Sequence, residues 1–458
     1  MLKNLINSVR FYLKEAFDRL NNHTYKKNVL QAIPFWIASV ITGLIAVAYT
    51  KLFLMAESVT KYLYHQYAWA LFVLMPACFL LAWWLVLRFA PYARGSGIPQ
   101  VVAAIQVTAP KTDKQVSQLL SLKVMFVKIA SSLVMAVGGA AIGREGPTIQ
   151  IAASVFKKVN DLLPSWWPKV AKKNMIVTGA AAGLSAAFNT PLGGIVFAIE
   201  ELTKTHFSYF KTAIFSSVII AGLTAQGILG PYLYLGYPKI FNLSGYIFFG
   251  VILVAVISGL LGSAMSKLII FILKWKSTFK FTHHHVLYVA ACALTMGILA
   301  TFISYDILGS GKDIMQNILF SEDKYVHWYT PILRIIGPAL SFTTGAAGGI
   351  FAPALASGAS IGSLVSGWFE LSETNTNLLI LSGMVGFLTG VTRSPFTSAI
   401  LVLEMTNRHS VIFHLILASM VSSVVSLLID KRSLYDHLKA QYIEELETDE
   451  ANGNQKTG

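Results

Sequence analysis

Gly143-Arg144-Glu145-Gly146-Pro147 sets a carboxylate and a guanidinium into a glycine-rich break between apolar segments. Residues 130–142 before it are apolar and small, and residues 148–153 after it resume an apolar helical pattern. Pro suits a first helical turn, where its missing N–H would have had no intrahelical partner. The break therefore reads as a helix N-terminus inside a membrane, with free N–H groups and the positive dipole end forming an anion site. Irregular backbone at that depth is tolerated only where it is buried in protein or lines a cavity. An Arg–Glu pair on an ordinary loop is the competing reading, and the rest of the chain counts against it.

Two further breaks have the same form. Gly95-Ser96-Gly97-Ile98-Pro99 opens an apolar helix at 101–107, with Ser96 at its start, either as a plain N-cap or as an anion donor. Gly349-Ile350-Phe351-Ala352-Pro353 closes another glycine-rich run and opens a third such helix. Glu200-Glu201 ends a short apolar helix that follows Pro191, where two acids need water or partners unless they mark the membrane interface.

The elements that must hold these residues are membrane helices. The 458-residue chain is 55% hydrophobic and only 13% charged, against roughly 25% for a soluble chain. Apolar spans are expected near 33–55, 68–90, 175–188, 213–229, 246–273, 286–304, 332–342, 378–391 and 411–429. The net charge of +14 reflects cytoplasmic loops and gives no reason to expect nucleic-acid binding. Basic residues crowd at 3–27, 157–173 and 431–432, which predicts cytoplasmic termini. Residues 2–14 carry an apolar helical stripe with a basic opposite face, suited to the membrane surface. Lys128, just inside a span, reads as snorkelling or locally paired. His283-His284-His285 reads as a solvated loop and not as a metal site, and Cys78 and Cys292 give neither a disulfide framework nor a metal spacing. The tail from Glu444 is acidic and polar, and disorder is expected there.

The two halves repeat. Gly95-Ser96-Gly97 recurs as Gly309-Ser310-Gly311 at an offset of 214, Pro147 as Pro353 at 206, and Pro191 and Glu200 as Pro395 and Glu404 at 204. This divides the chain into an N-terminal amphipathic segment (1–30), two transmembrane repeats (31–230 and 231–430) and a tail (431–458). Repeats with broken helices at matching places mark a transporter whose site lies near the midplane, and sequence leaves open whether the repeats are parallel or inverted.

At the three motifs, in their order, the chain resembles the CLC family of chloride channels and chloride/proton antiporters over roughly residues 30–440. The resemblance implies an all-α polytopic membrane protein of two inverted repeats with many tilted and partial helices. It also implies a homodimer in the lipid bilayer, with an anion pathway in each subunit. Its implied substrates are bound chloride and protons, and no cofactor, metal or nucleic-acid partner is expected. By resemblance, Ser96 and Tyr435 contact the anion with their hydroxyls, and Ile350 and Phe351 with their amides. Amides around Arg144, Glu145 and Gly146 form an outer site, Glu145 is the gate, and Glu201 transfers protons on the inner side. Ionised Glu145 would compete with chloride for its site, and protonation would end the competition. A full Lys or Arg charge at the site would hold chloride too tightly to release it.

Ser96 resembles the chloride-handling members, since nitrate-handling relatives carry Pro there and fluoride exporters Met. Glu201 resembles the antiporters, because channel members commonly lack that acid. Some relatives carry acids shortly after the first motif, where this chain has Gln100, Val101 and Val102, and this leaves the partner of Lys128 open. The short tail resembles prokaryotic members and suggests the bacterial inner membrane. A passive chloride channel of the same fold is the alternative. An intramembrane hydrolase has neither an H-E-x-x-H motif nor a His base near Ser96 to support it, and no enzyme activity is expected.

Overall fold

The computed structural model describes residues 23–109, 112–203, 211–230 and 233–455. The stripe at 2–14, and with it most of segment 1–30, lies outside them. The first half runs through α1 (His23–Tyr67), α2 (Leu71–Phe89), α3 (Ile98–Val107), α4 (Asp113–Leu119), α5 (Leu122–Val137), α6 (Glu145–Asp161), α7 (Lys172–Phe188), α8 (Pro191–Phe197) and α9 (Lys211–Leu229). The second runs through α10 (Ile247–Ser277), α11 (Thr282–Phe302), α12 (Lys312–Phe320), α13 (Thr330–Thr343), α14 (Phe351–Trp368), α15 (Glu373–Thr392), α16 (Pro395–Thr406), α17 (Ile412–Ile429) and α18 (Leu434–Gln455). Among the described residues, seven helical stretches are long and apolar enough to cross a membrane, while α3 and α16 are apolar but short. The chain is an all-α integral membrane protein of full and partial helices.

Within each half, a helix that follows a glycine-rich break, α6 or α14, is enclosed over most of its length and exposed only near its C-terminal end. α6 packs on α7, and α14 packs on α15, which is buried along nearly its whole length. Lipid supplies no hydrophobic drive between helices, so small residues must let the backbones approach. A Cβ on Gly358 of α14 would lie 2.1 Å from the carbonyl oxygen of Gly383 of α15.

Two expected boundaries differ. The span expected at 33–55 is only part of α1, because an apolar window marks the bilayer and not the helix. The helix runs on because its polar end finds partners. Thr60 Oγ1 donates to the carbonyls of Ala136 and Val137 (2.9 and 2.7 Å), and Lys61 Nζ pairs with Asp313 (2.7 Å). The tail is also ordered, since α18 carries through Glu444. Leu438, Tyr442 and Leu446 form a buried stripe at helical spacing, and the acids pair with the first half. Arg94 bonds Glu445, Tyr92 Oη donates to Asp449 (2.9 Å), and Gln115 Nε2 donates to Glu450 (2.6 Å). The same face gathers the basic loop: Trp167 Nε1 donates to the Leu30 carbonyl (2.8 Å), and Lys172 pairs with both Asp161 and Asp113.

The halves cap each other. Glu404 at the end of α16 accepts from the backbone N–H groups of Leu192 and Gly193 in the first turn of α8 (3.0 and 2.6 Å). Glu200, just beyond α8, accepts from the N–H groups of Phe396 and Thr397 in the first turn of α16 (3.1 and 2.7 Å) and from Thr397 Oγ1 (2.7 Å). Each carboxylate thus satisfies orphan donors at the positive end of its counterpart's helix. Glu404→Ala is expected to cost about 0.5–2 kcal/mol, the range for losing a cap. It should lower the melting temperature in detergent, with Glu404→Gln recovering part of the loss. Equal melting of the Ala variant and the parent would refute the role.

Candidate anion site at the meeting of four helix starts

The three sequence breaks converge. Gly143 and Gly349 exchange backbone hydrogen bonds (2.8 and 2.7 Å), and Gly95 bonds Ala346 and Gly348 (2.9 and 3.0 Å). These pairs bring the starts of α3, α6 and α14 together. Gly97 caps α3 in the left-handed region at φ +102°, where an L side chain is strained, and a Cβ there would also strike Gln150. A Cβ on Gly146 would lie 2.2 Å from Ser96 Oγ, so the two breaks touch side to backbone. The N-cap residues of α6 and α14 are Arg144 and Ile350, and neither provides a side-chain cap. Their first turns must therefore find acceptors elsewhere, and at α6 the Glu145 carboxylate meets its own backbone N–H.

Tyr435, in the first turn of α18, brings the fourth helix start. The turn before it is held by Arg393, which donates to the Asp430 carbonyl through Nε and Nη2 (3.3 and 3.2 Å). His437 contacts the Asp430 carboxylate (3.1 Å). Burial pushes the Asp430 carboxyl up, but the Arg432 N–H and His437 outweigh it and hold the group below the usual carboxylate range. The Tyr435 ring stacks on Phe351 at 6.2 Å and 9°. Its hydroxyl lies near Ser96 Oγ, yet both buried hydroxyls lack a protein partner of good hydrogen-bond geometry. A buried hydroxyl without a partner costs about 1–3 kcal/mol, so this pair is built to meet something else.

Glu145, 1% exposed, stands at the start of α6. Tyr234 Oη donates to its Oε1 (3.2 Å), while its buried Oε2 has no partner. From Tyr234 a chain of rings runs through Phe188 (5.0 Å) and Phe351 (6.3 Å) to Tyr435, which links the carboxylate to the hydroxyl pair. Arg144 leans over the Tyr234 ring (6.0 Å). Ser96, Arg144, Glu145, Gly146, Ile350, Phe351 and Tyr435 therefore belong to one constellation. Glu201 has a partner of its own. It is 5% exposed and accepts from Ser394 Oγ (2.7 Å), whereas its neighbour Glu200 is the cap on α16.

The family model described as voltage gated chloride channel, the CLC family, matches residues 78–427. The chain belongs to the CLC family. Among CLC relatives, the H(+)/Cl(-) exchange transporter ClcA of Salmonella arizonae is 28% identical over 443 residues, covering 92% of this chain and 90% of the relative. The protein of the same name from Citrobacter koseri matches to the same extent. The solved structure described as a slow cyanobacterial Cl-/H+ antiporter shares the fold with a TM-score of 0.78 and 22% identity, covering 91% of this chain and 98% of that one.

Two residues near this constellation, Tyr234 and Arg334, were not apparent from sequence, and a third, Lys128, reads there only as snorkelling or locally paired. Tyr234 lies in an irregular stretch with no periodicity to mark it. Lys128 is fully buried and, in place of an acid, meets the carbonyls of Gly95 (2.8 Å) and Arg94 (3.3 Å) just before Ser96. Its counterpart is Arg334, which donates to the carbonyls of Leu308 and Gly309 (3.1 and 3.2 Å) just before Ser310. The offset of 206 that relates Pro147 to Pro353 also relates Lys128 to Arg334, so the repeat held this signal. Each cation holds carbonyls behind its loop and places positive charge one layer back from the amides. Tyr435→Phe keeps the stack on Phe351 and removes only the hydroxyl. A hydrogen bond to a charged group is worth about 1.5–3 kcal/mol. Chloride affinity by calorimetry should therefore fall about tenfold to a hundredfold, and unchanged affinity would refute the contact.

Proposed function

We propose that this chain is a chloride/proton antiporter, a secondary active transporter that works as a homodimer in the bacterial inner membrane with both termini cytoplasmic. The observation that carries the reading is the pair of unpartnered buried hydroxyls, Ser96 and Tyr435, within one constellation with the buried carboxylate of Glu145. The printed names of the relatives, H(+)/Cl(-) exchange transporters, support the same substrates. The contacts joining residues 30, 113, 161, 167, 172 and 450 support a single basic face for the termini. The reciprocal caps of Glu200 and Glu404 suit two halves related by an inverted twofold axis.

In this mechanism chloride gives up its hydration shell for the Ser96 and Tyr435 hydroxyls, the Ile350 and Phe351 amides and the amides around Arg144, Glu145 and Gly146. No cationic head is needed in contact with it, so binding stays weak enough for release. Ionised Glu145, itself an anion at the start of α6, competes for the same dipole end. When Glu145 takes up a proton it ceases to compete and chloride advances; when chloride leaves, the carboxylate returns and gives up the proton. Glu201 delivers protons from the cytoplasmic side. The two acids differ in place, so the proton and chloride routes separate between them.

Glu145→Gln, a stand-in for the protonated gate, should keep chloride flux, lose proton flux and flatten the pH dependence in liposomes. Retained proton movement would overturn the gate. Glu201→Gln should abolish proton flux and keep chloride flux, while Glu200→Gln should lower stability and leave coupling intact. Coupling that survives in Glu201→Gln would overturn the role of Glu201 and favour a different proton donor, whereas a parent protein in which a chloride gradient moves no protons would favour the passive channel reading.

A further inference from the structure

The second Gly-Ser-Gly loop is built like the first but is filled differently. Gly97 and Gly311 both start their helices, α3 and α12, in the left-handed region (φ +102° and +86°), and a buried cation holds the carbonyls before each loop. At the first loop, the Ser96 hydroxyl has no partner. At the second, the Ser310 N–H donates to Glu57 Oε1 at 2.7 Å, and Glu57 comes from α1, in the other half of the chain. This loop lies at the end of α1 opposite the N-terminus and so apart from the face that gathers residues 30, 167 and 450.

Glu57 is half-buried and lines a cavity of about 420 Å³ with Lys61, Ser310, Lys312, Asp313 and Arg334. Arg334 is 1% exposed, and its Nε has no hydrogen-bond partner. A Cβ on Gly311 would lie 1.7 Å from Arg334 Nη2, so the guanidinium is pressed against the loop where the amide emerges. The charged lining is Lys61, Lys312 and Arg334 against Glu57, Asp306 and Asp313. Three positive groups face three negative ones, and without Glu57 one positive charge is left over.

We propose that the Gly309-Ser310-Gly311 loop is a second anion site, suited to a small monovalent inorganic anion of the halide class, and that the Glu57 carboxylate is its built-in occupant. A carboxylate and a halide ask for the same things: a free amide, the positive end of a helix and a cation nearby. The site supplies all three, and Glu57 already uses the amide. Seated there, it balances the lining charge and keeps free anions out. The inference rests on the repeat and on Glu57, and not on the coupling mechanism.

Bromide, located by its anomalous scattering in crystals, tests it. In the parent protein a bromide peak is expected between Ser96 and Tyr435, and none at the Ser310 N–H, where Glu57 stays seated. In Glu57→Ala a new peak should appear against the Ser310 N–H; should the Ala variant not fold, Glu57→Ser, too short to reach the amide, serves the same reading. No peak at Ser310 in such a variant, under conditions that fill the Ser96 site, would overturn the proposal. A peak at Ser310 in the parent with Glu57 still seated would overturn it as well, and this arm requires no variant. Failure of the transport reading would show instead as an empty Ser96–Tyr435 site, so the two outcomes are read separately.

Discussion

A membrane interior holds no water to satisfy a backbone N–H, and this fold starts several helices inside protein. Every such start must find an acceptor. The molecule divides its starts into two kinds. α8 and α16 receive carboxylates from each other's half, Glu404 and Glu200, and Ser310 at the start of α12 receives Glu57. The starts of α6 and α14 have N-cap residues that offer no side-chain oxygen, and they lie beside the unpartnered hydroxyls of Ser96 and Tyr435. The starts of α8, α16 and α12 are closed by the protein's own carboxylates, and under the proposed function the others are left to a mobile anion. The difference between scaffold and pathway comes down to which amides the protein satisfies itself.

The positive charge follows the same logic. Lys128 and Arg334 are buried cations whose donors go to backbone carbonyls behind the two Gly-Ser-Gly loops. Lys276 does likewise at the carbonyls of Thr343 and Thr344. Charge held one layer back makes the region hospitable to anions while leaving contact to dipoles and hydroxyls, which bind less tightly. Close packing is the condition for this. Gly146 must be bare for Ser96 Oγ to approach it, so the motif's glycines are required by contact across the two breaks as much as by the turn.

Much of this was legible in the sequence because broken helices leave local marks. Gly and Pro at Gly95–Pro99, Gly143–Pro147 and Gly349–Pro353 announced the three starts, and the offsets between halves announced the pairing. The two acids at 200 and 201 were visible, but their division of labour was not. Adjacent helical positions point about 100° apart, and only the fold shows that Glu200 meets α16 while Glu201 meets Ser394. Tyr234 and Glu57 left no mark, since each works through a partner far along the chain. The ordered tail was missed because composition near Glu444 looks solvated, whereas the stripe that fixes α18 starts earlier and its acids are spoken for by Arg94, Tyr92 and Gln115.

The exchange of caps between Glu200 and Glu404 bears on how the protein is made. As the chain leaves the ribosome, α8 emerges about 200 residues before the acid that will close it. Until Glu404 arrives the first half has exposed donors at a helix end and cannot be a finished unit, although domains generally fold from the N-terminus as they are synthesised. Completion of the two halves is therefore a single late event and not two successive ones. A chain cut between the two halves would leave both helix starts, α8 and α16, without their carboxylates.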